Sequence, residues 1–436
     1  MNSPTSITVV GLGYVGLPLS LAFAHELPTT GFDVDEARVE QLSGGTDRNR
    51  EVSEQEISSS SATWTTDPSC ISNAEFIVVT VPTPVTDDHK PDLSLLESAS
   101  KTIGSQLRAR SEDLSAPIIV FESTTYPGCT EEFCGPIIER ESGLVSGEGF
   151  FLGYSPERTN FGDAEHTLET VVKVVSGQTP EVAQVVSDTY GLIAKAGTYM
   201  AANIQTAEAS KVIENVQRDL NIALFNEMSV IFAGMDIRSS DVFDAAATKW
   251  NFHRYRPGLV GGHCIPVDPY YLTYRAEQLG IESNTVLAGR EVNERMTGYV
   301  HDSAIRLLEE SGTTVGESSV LVLGVAFKPN IADIRNSKIL DLIELFKVST
   351  AQVIVHDSIA DLTKTNIDPA AIADSANSLN AADFDAVVIG AAHADIMTDL
   401  DSWLGKLKPN GVLIDVEGAV TPEMLKNHAS VTHWQL

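Results

Sequence analysis

The chain has 436 residues, 43% of them hydrophobic, and its 29 Lys and Arg face 60 Asp and Glu for a formal net charge of −31. That length calls for two or three domains rather than one core. The charge excludes broad contact with nucleic acid or an anionic membrane, which needs clustered cations.

The first stretch, ITVVGLGYVGLPLSLAFAHE from residue 7, reads as an apolar strand, a glycine turn and a helix. A second strand signal, TTGFDVD, follows at 29–35, and further short apolar runs stand at 76–81 (FIVVTV) and 117–123 (PIIVFES). A helical stretch at 93–108 lies between them, and strands alternating with helices predict a parallel sheet. Weaker strand signals at 150–154 and 171–176 carry this domain to about residue 202. From 203 to 234, NIQTAEASKVIENVQRDLNIALFNEMSVIFAG predicts one long helix. Its apolar residues (Val212, Ile213, Val216, Leu220, but also Ile222, Leu224 and Phe225) cover more than one face, so burial between domains or subunits is expected. Shorter helices are expected to 312. A second α/β domain then spans 313–436, with strands at SVLVLG from 319, at 352–356, 384–390 and 411–416. The fold class is α/β: two doubly wound domains joined by a central helical segment at 203–312. No sequence identity links the two α/β ends.

No apolar run reaches the roughly 18–20 residues of a membrane span. The cysteines at 70, 129, 134 and 264 form no CxxC pair. A cytoplasmic protein with free thiols and no structural metal is the expectation.

Gly11, Gly13 and Gly16 form GxGxxG after a strand and at the start of a helix. The first allows the tight turn, the second lets a pyrophosphate approach the backbone, and the third lets helix and strand pack closely. Asp33 ends the second strand, where a carboxylate bonds a ribose 2′-hydroxyl and repels a 2′-phosphate, so NAD is expected. Arg38 nearby leaves NADP open.

Cys264 lies in GGHCIPVDPYY at 261–271. A buried small side chain, a redox thiol and a nucleophile are all open readings, and a metal site is not, because no second cysteine or spaced histidine stands nearby. Gly261 and Gly262 permit close backbone approach. Asp268-Pro269 reads as an N-cap with Pro at the first helical position, which sets Cys264 ahead of a helix N-terminus. That place, with His263 adjacent, favours the thiolate.

GLGYVGLPLS, VPTP, ESTTYPGCTEE, YSPER, KVIENVQRDLNIALFNE and PGLVGGHCIPVDPYYL occur in this order. Together they resemble the UDP-glucose/GDP-mannose dehydrogenase family, most closely its bacterial UDP-N-acetylglucosamine 6-dehydrogenases of surface-polysaccharide biosynthesis. The resemblance implies an N-terminal NAD-binding Rossmann domain, a central segment whose long helix forms a homodimer interface, and a C-terminal UDP-binding domain. It implies oxidation of a sugar C6 alcohol to a carboxylate with two NAD reduced in turn. An aldehyde yields hydride once a nucleophile has added to it, and Cys264 matches the thiol that forms the thiohemiacetal and then the thioester. Lys211 and Asn215, one turn apart on the long helix, match groups that stabilise oxyanions. Asp268 matches the aspartate that orients water and pairs with the lysine, Glu157 a general base for thioester hydrolysis, and Thr124 a threonine that holds water. Tyr14, Val15, Thr83 and Thr124 join the glycine turn as cofactor contacts. Glu157, Arg158, Lys211, Asn215, Arg254, Arg256, Gly261, Lys328 and Arg335 are the implied substrate contacts, arginine being the better fork for phosphate.

Two departures from the family pattern, Thr-Asn-Phe at 159–161 and Pro329, bear on the sugar rather than on the reaction. UDP-N-acetylglucosamine is the expected substrate, with UDP-N-acetylmannosamine, UDP-N-acetylgalactosamine or UDP-glucose as alternatives. A two-electron hydroxyacid or alcohol dehydrogenase has no need of the cysteine segment. An inactive nucleotide-binding protein would not need Cys264, Lys211, Asn215 and Asp268 together.

Overall fold

The computed structural model describes residues 3–49, 51–86, 88–111, 113–159 and 165–436. The chain divides into two compact units, Met1–Asn215 with Tyr270–Glu282, and Val216–Pro269 with Ser283–Leu436. The central segment expected at 203–312 is thus shared between them.

The first unit is built on eight strands: β1 (Ile7–Val10), β2 (Thr29–Phe32), β3 (Thr63–Thr65), β4 (Phe76–Val79), β5 (Ile118–Phe121), β6 (Phe151–Tyr154), β7 (Lys173–Gly177) and β8 (Thr198–Met200). They lie in the order β3-β2-β1-β4-β5-β6-β7-β8. All neighbours are parallel except β6 and β7. Strands β1, β4 and β5 are buried at every residue, as expected where both faces of a parallel sheet are covered, and this is why they read as unbroken apolar runs. Val10 is in register with Phe32 on one side and Val79 on the other. The residues that follow β1, β2 and β4, namely Gly11, Asp33 and Thr80, therefore share one edge. This is the point where the order of strands reverses, the usual place for a ligand in such sheets.

The second unit carries a five-stranded, all-parallel sheet of β9 (Ser319–Leu323), β10 (Gln352–His356), β11 (Phe384–Ile389), β12 (Leu407–Asp415) and β13 (Thr432–Gln435), in the order β10-β9-β11-β12-β13. The helix Lys338–Ser349 buries Ile339, Leu342, Ile343 and Phe346, one stripe at helical spacing. They pack with Val320 and Val322 of β9 and with Met296, Val300 and Ala304 of the helix Asn284–Glu310. On the other face Trp403, Leu400 and Leu404 pack with Leu321 and Leu323.

The long helix runs Ile204–Gly234 without a break. Val212, Val216 and Phe225 are buried as expected, but Ile213, Leu224, Val230 and Ile231 are exposed on the single chain. Among the described residues no helix is long and apolar enough to cross a membrane.

Candidate active site

Gly11 turns the chain at φ 95°, where only glycine is at ease. Its N–H donates to the Phe32 carbonyl at 2.8 Å. The next N–H, of Leu12, donates to Asp33 Oδ2 at 2.7 Å, and Asp35 N–H donates to Asp33 Oδ1 at 3.0 Å. The helix Gly16–Ala24 starts at once, and a Cβ on Gly16 would stand 1.9 Å from the Gly11 carbonyl oxygen. A Cβ on Gly13 would meet nothing within 4 Å. That open space above a helix N-terminus is where a pyrophosphate fits, so these residues suit NAD. Tyr14 and Val15 are half-buried in the same turn. Arg38 is spent inside the protein: Nε donates to the Leu12 carbonyl at 2.8 Å and Nη1 pairs with Asp47 at 2.7 Å, both side chains being buried. It braces the turn from behind. The Thr83 carbonyl accepts from the buried Tyr271 hydroxyl at 2.5 Å.

The same unit gathers charges around Glu157, in the loop after β6. Lys173, the buried first residue of β7, donates to Glu122 at 2.7 Å and to the Pro156 carbonyl at 3.2 Å, and lies 3.7 Å from Glu157. Tyr190 donates its hydroxyl to Glu122 at 2.5 Å. Burial opposes the charge on Glu157, but Lys173 and the Thr159 N–H outweigh it, with help from Lys211, and hold the carboxyl below its ordinary range. Glu157 is thus ionised at neutral pH, the protonation state a general base needs. Asn160 and Phe161, of the 159–161 departure, lie outside the described residues. Arg158 Nε pairs with Glu214 of the long helix at 2.8 Å. Lys211 is half-buried and Asn215 buried, on one face of that helix. Thr124 is half-buried in the loop after β5. That loop is tied to the helix by Glu208, a wholly buried carboxylate that accepts from Gly128 N–H, Thr130 N–H, Thr130 Oγ1 and Thr125 Oγ1.

In the second unit Cys264 is a free, half-buried thiol. Its carbonyl accepts the N–H groups of Val267 at 3.1 Å and Asp268 at 2.8 Å, the turn that leads into the helix Asp268–Gln278. Asp268 is buried. The close approach expected of the two glycines is made by the chain's own loop 327–337. A Cβ on Gly261 would stand 2.8 Å from both the Asn336 carbonyl oxygen and Phe327 Cβ, and one on Gly262 would run into the Phe327 ring. Gly262 N–H donates to the Arg335 carbonyl at 3.2 Å, and Asn336 Nδ2 donates to the Gly262 carbonyl at 3.1 Å. The approach to the cysteine segment is fixed too: Asn226 of the long helix exchanges hydrogen bonds with Gly258, 2.8 Å and 3.0 Å, and donates to Asn293 at 2.8 Å. Behind it Asp219 and Arg290 form a buried pair at 2.5 Å.

Past the carboxyl ends of β9, β11 and β12 lies a cavity of about 400 Å³, lined by Arg256, Phe327, Pro329, Lys338 and Glu417 among others. Pro329, the second departure, is therefore a wall of this cavity. Arg254 points elsewhere, to Asp244 at 2.6 Å. Lys328 is half-buried in the same 327–337 loop.

Family models for the UDP-glucose/GDP-mannose dehydrogenases match the chain in three consecutive parts: the NAD-binding domain over residues 5–193, the central domain over 205–295 and the UDP-binding domain over 321–422. The chain belongs to this family. It is an NAD-dependent oxidoreductase of the nucleotide-sugar dehydrogenase class. Protein CapL of Staphylococcus aureus is 42% identical over 431 residues, 99% of each chain. A UDP-N-acetyl-D-glucosamine 6-dehydrogenase of Pseudomonas aeruginosa is 45% identical over 352 residues, 80% of this chain and 82% of that one. A solved UDP-D-ManNAc dehydrogenase of Pyrococcus horikoshii superposes with a TM-score of 0.85 at 25% identity, over 98% of both chains.

Against the family motifs, sequence reasoning passed over Lys173, Glu208 and Asn226. Lys173 had a signal, a lone cation inside VVKVVSG. Glu208 and Asn226 had none, since polar residues on a long helix are ordinary until their partners are known.

Proposed function

We propose that the chain oxidises the C6 hydroxymethyl group of UDP-N-acetylglucosamine to the carboxylate, with two NADH formed per sugar. The single observation that carries this reading is the intact Gly-Gly-His-Cys loop, with Cys264 held one turn ahead of a helix, in a chain 45% identical to a protein of that activity. The glycine turn and Asp33 would hold NAD, which would supply the hydride acceptor for each oxidation. Lys211 and Asn215 stabilise the oxygen at C6 as charge develops there. Cys264 adds to the aldehyde, and the tetrahedral C6 so formed can give up its remaining hydrogen as hydride. Glu157, kept ionised beside Lys173, takes the proton of the water that cleaves the thioester, with Asp268 and Thr124 orienting that water. Arg256 and the cavity beside it take the UDP moiety, with Lys328 and Arg335 as further contacts; Arg254, held by Asp244, and Gly261, covered by the 327–337 loop, are not among them.

A homodimer accompanies this reading. The exposed Ile213, Leu224 and Ile231, spaced eleven and seven residues apart and so on one face, form an apolar strip along the long helix that a second copy would cover. The cytoplasm is the proposed location, in keeping with the four free thiols.

The test is the number of NADH formed per UDP-N-acetylglucosamine consumed. Two NADH, lost in Cys264→Ala, is the expected result. One NADH with accumulating aldehyde would sink the thiohemiacetal route. Two NADH on a different UDP-sugar only would move the substrate and leave the chemistry standing.

A further inference from the structure

The loop 327–337 does more than cover the cysteine segment. Asp333 on that loop lies 3.5 Å from Nδ1 of His263, and Arg335 Nη2 lies 3.0 Å from the same atom. Arg335 in turn grips Asp333, through Nε at 2.9 and 3.1 Å and Nη2 at 2.5 Å, and by its own N–H at 3.0 Å. The His263 ring stands edge-on to Phe327 and reaches the side chain of Cys264. Two backbone ties, at Gly262 N–H and Gly262 carbonyl, keep this arrangement in register. The imidazole is therefore placed by the Asp333–Arg335 ion pair at Nδ1 and is hydrogen-bonded to the Cys264 side chain, so that a base stands beside the thiol.

We infer that His263, oriented by Asp333, is a further catalytic residue that takes the Cys264 thiol proton. This rests on Cys264 being the nucleophile of the proposed function. The S–H bond breaks with its proton on the imidazole. The sulfur electron pair then forms the S–C bond to the aldehyde produced by the first oxidation, and the carbonyl pair moves to oxygen, which recovers a proton. The groups facing the imidazole include Asp333, Arg335, Cys264 and Phe327. Burial works against a charged ring and so does Arg335, yet the contacts to Asp333 and Cys264 raise its pKa to about 9. Asp333, although buried, is held well below the usual carboxylate range by His263 and Arg335. A ring made more basic in this way holds the proton that the thiol gives up. Because Asp333 and Arg335 belong to the loop that also lines the nucleotide cavity, substrate binding and thiol activation share one segment.

The experiment is iodoacetamide alkylation of Cys264 in the full-length protein, followed by mass spectrometry across pH, in wild type, His263→Gln and Asp333→Asn. Loss of one ion-pair partner is worth about tenfold in thiolate population. His263→Gln should alkylate about tenfold more slowly near neutral pH, with its profile displaced to higher pH. Asp333→Asn should fall by about threefold. Equal rates and profiles in all three would overturn the inference. Should His263→Gln fail to fold, judged by its thermal transition, Asp333→Asn alone decides. The two readings separate cleanly: two NADH from Cys264→Ala sinks the proposed function, whereas loss of NADH in Cys264→Ala with unchanged alkylation in His263→Gln sinks only this inference.

Discussion

At the end of β1, Gly11 turns with φ 95°, its N–H on the carbonyl that closes β2, and Leu12 N–H on Oδ2 of Asp33 at 2.7 Å. At the end of β9, Gly324 turns with φ 77°, its N–H on the His356 carbonyl that closes β10, and Val325 N–H on Oδ2 of Asp357 at 2.7 Å. Even the residue two beyond each aspartate repeats, Asp35 and Ile359 both donating to Oδ1. The two halves share one hydrogen-bonded frame with no sequence identity to announce it. They part after the glycine. In the first half a helix begins at Gly16 and leaves open space at Gly13. In the second the helix waits until Lys338, and the intervening loop carries Lys328, Pro329, Asp333 and Arg335. Asp357 is sealed as well, taking His393 Nε2 at 3.1 Å and Ala360 N–H at 2.7 Å with both side chains fully buried. The frame sets where a ligand can sit. The length of chain before the helix sets which ligand.

Gly16→Ala breaks the first half outright. Its new Cβ would overlap the Gly11 carbonyl oxygen and stand 2.4 Å from Thr80 Oγ1, so a loss of about 3 kcal/mol or more is expected, with NAD binding abolished. Gly13→Ala is the control within the same turn. Nothing crowds it, so stability should hold within about 0.5 kcal/mol, while NAD affinity falls at least about tenfold as the methyl occupies the pyrophosphate space. Thermal unfolding and a fluorescence titration with NADH read the two effects separately.

The paired aspartates sharpen the contrast. Asp357→Asn should cost about 2–3 kcal/mol, because a buried charge-assisted network is broken, and leave NAD affinity alone. Asp33→Asn should do the reverse, weakening NAD several-fold through the ribose contact with little change in stability. Despite its burial, Asp357 is held well below the ordinary carboxylate range by His393 and three N–H groups. A depressed folded value means this stabilisation is complete above about pH 4 and drains away as pH falls through the folded value. The stability gap between wild type and Asp357→Asn should therefore close on acidification, and denaturant titrations from neutral pH downward would show it.

Much of this was legible beforehand. Strands buried on both faces declare themselves as apolar runs, so β1, β4, β5, β9 and β11 stood out, and GxGxxG with Asp33 marked the dinucleotide turn. The family motifs then named Cys264 and Lys211. What stayed hidden were relations between distant residues. The repeat of the frame rests on backbone N–H groups and one carboxylate, which any sequence can supply. The reason for Gly261 and Gly262 also lay elsewhere, in Phe327 and Asn336, more than sixty residues on in the chain. Arg38, a candidate for a cofactor phosphate, is a buried brace because Asp47 and the Leu12 carbonyl claim it.

Glu208 supplies the smallest effect and the opposite sign to Asp357. Both are buried carboxylates that accept backbone N–H groups, but Asp357 has a histidine against it, whereas the bonds to Glu208 come from neutral donors on the loop of Thr124. Burial therefore wins, and despite the Thr130, Gly128 and Thr125 bonds its pKa is raised to about 7. The folded protein then holds a proton that the unfolded chain has released above about pH 4.5. Stability conferred by this site is greatest at low pH, declines between about pH 4.5 and 7, and is flat above. Glu208→Gln keeps one acceptor oxygen, carries no charge and cannot titrate. At neutral pH it should change stability by about 1 kcal/mol or less, since relief from burying a charge offsets an amide nitrogen placed against N–H groups. The decline between about pH 4.5 and 7 should vanish in the variant. Urea titrations at several pH values across that window, wild type against Glu208→Gln, measure the difference directly. Parallel curves would mean that Glu208 stays ionised throughout, and that four hydrogen bonds alone hold its charge as firmly as His393 holds that of Asp357.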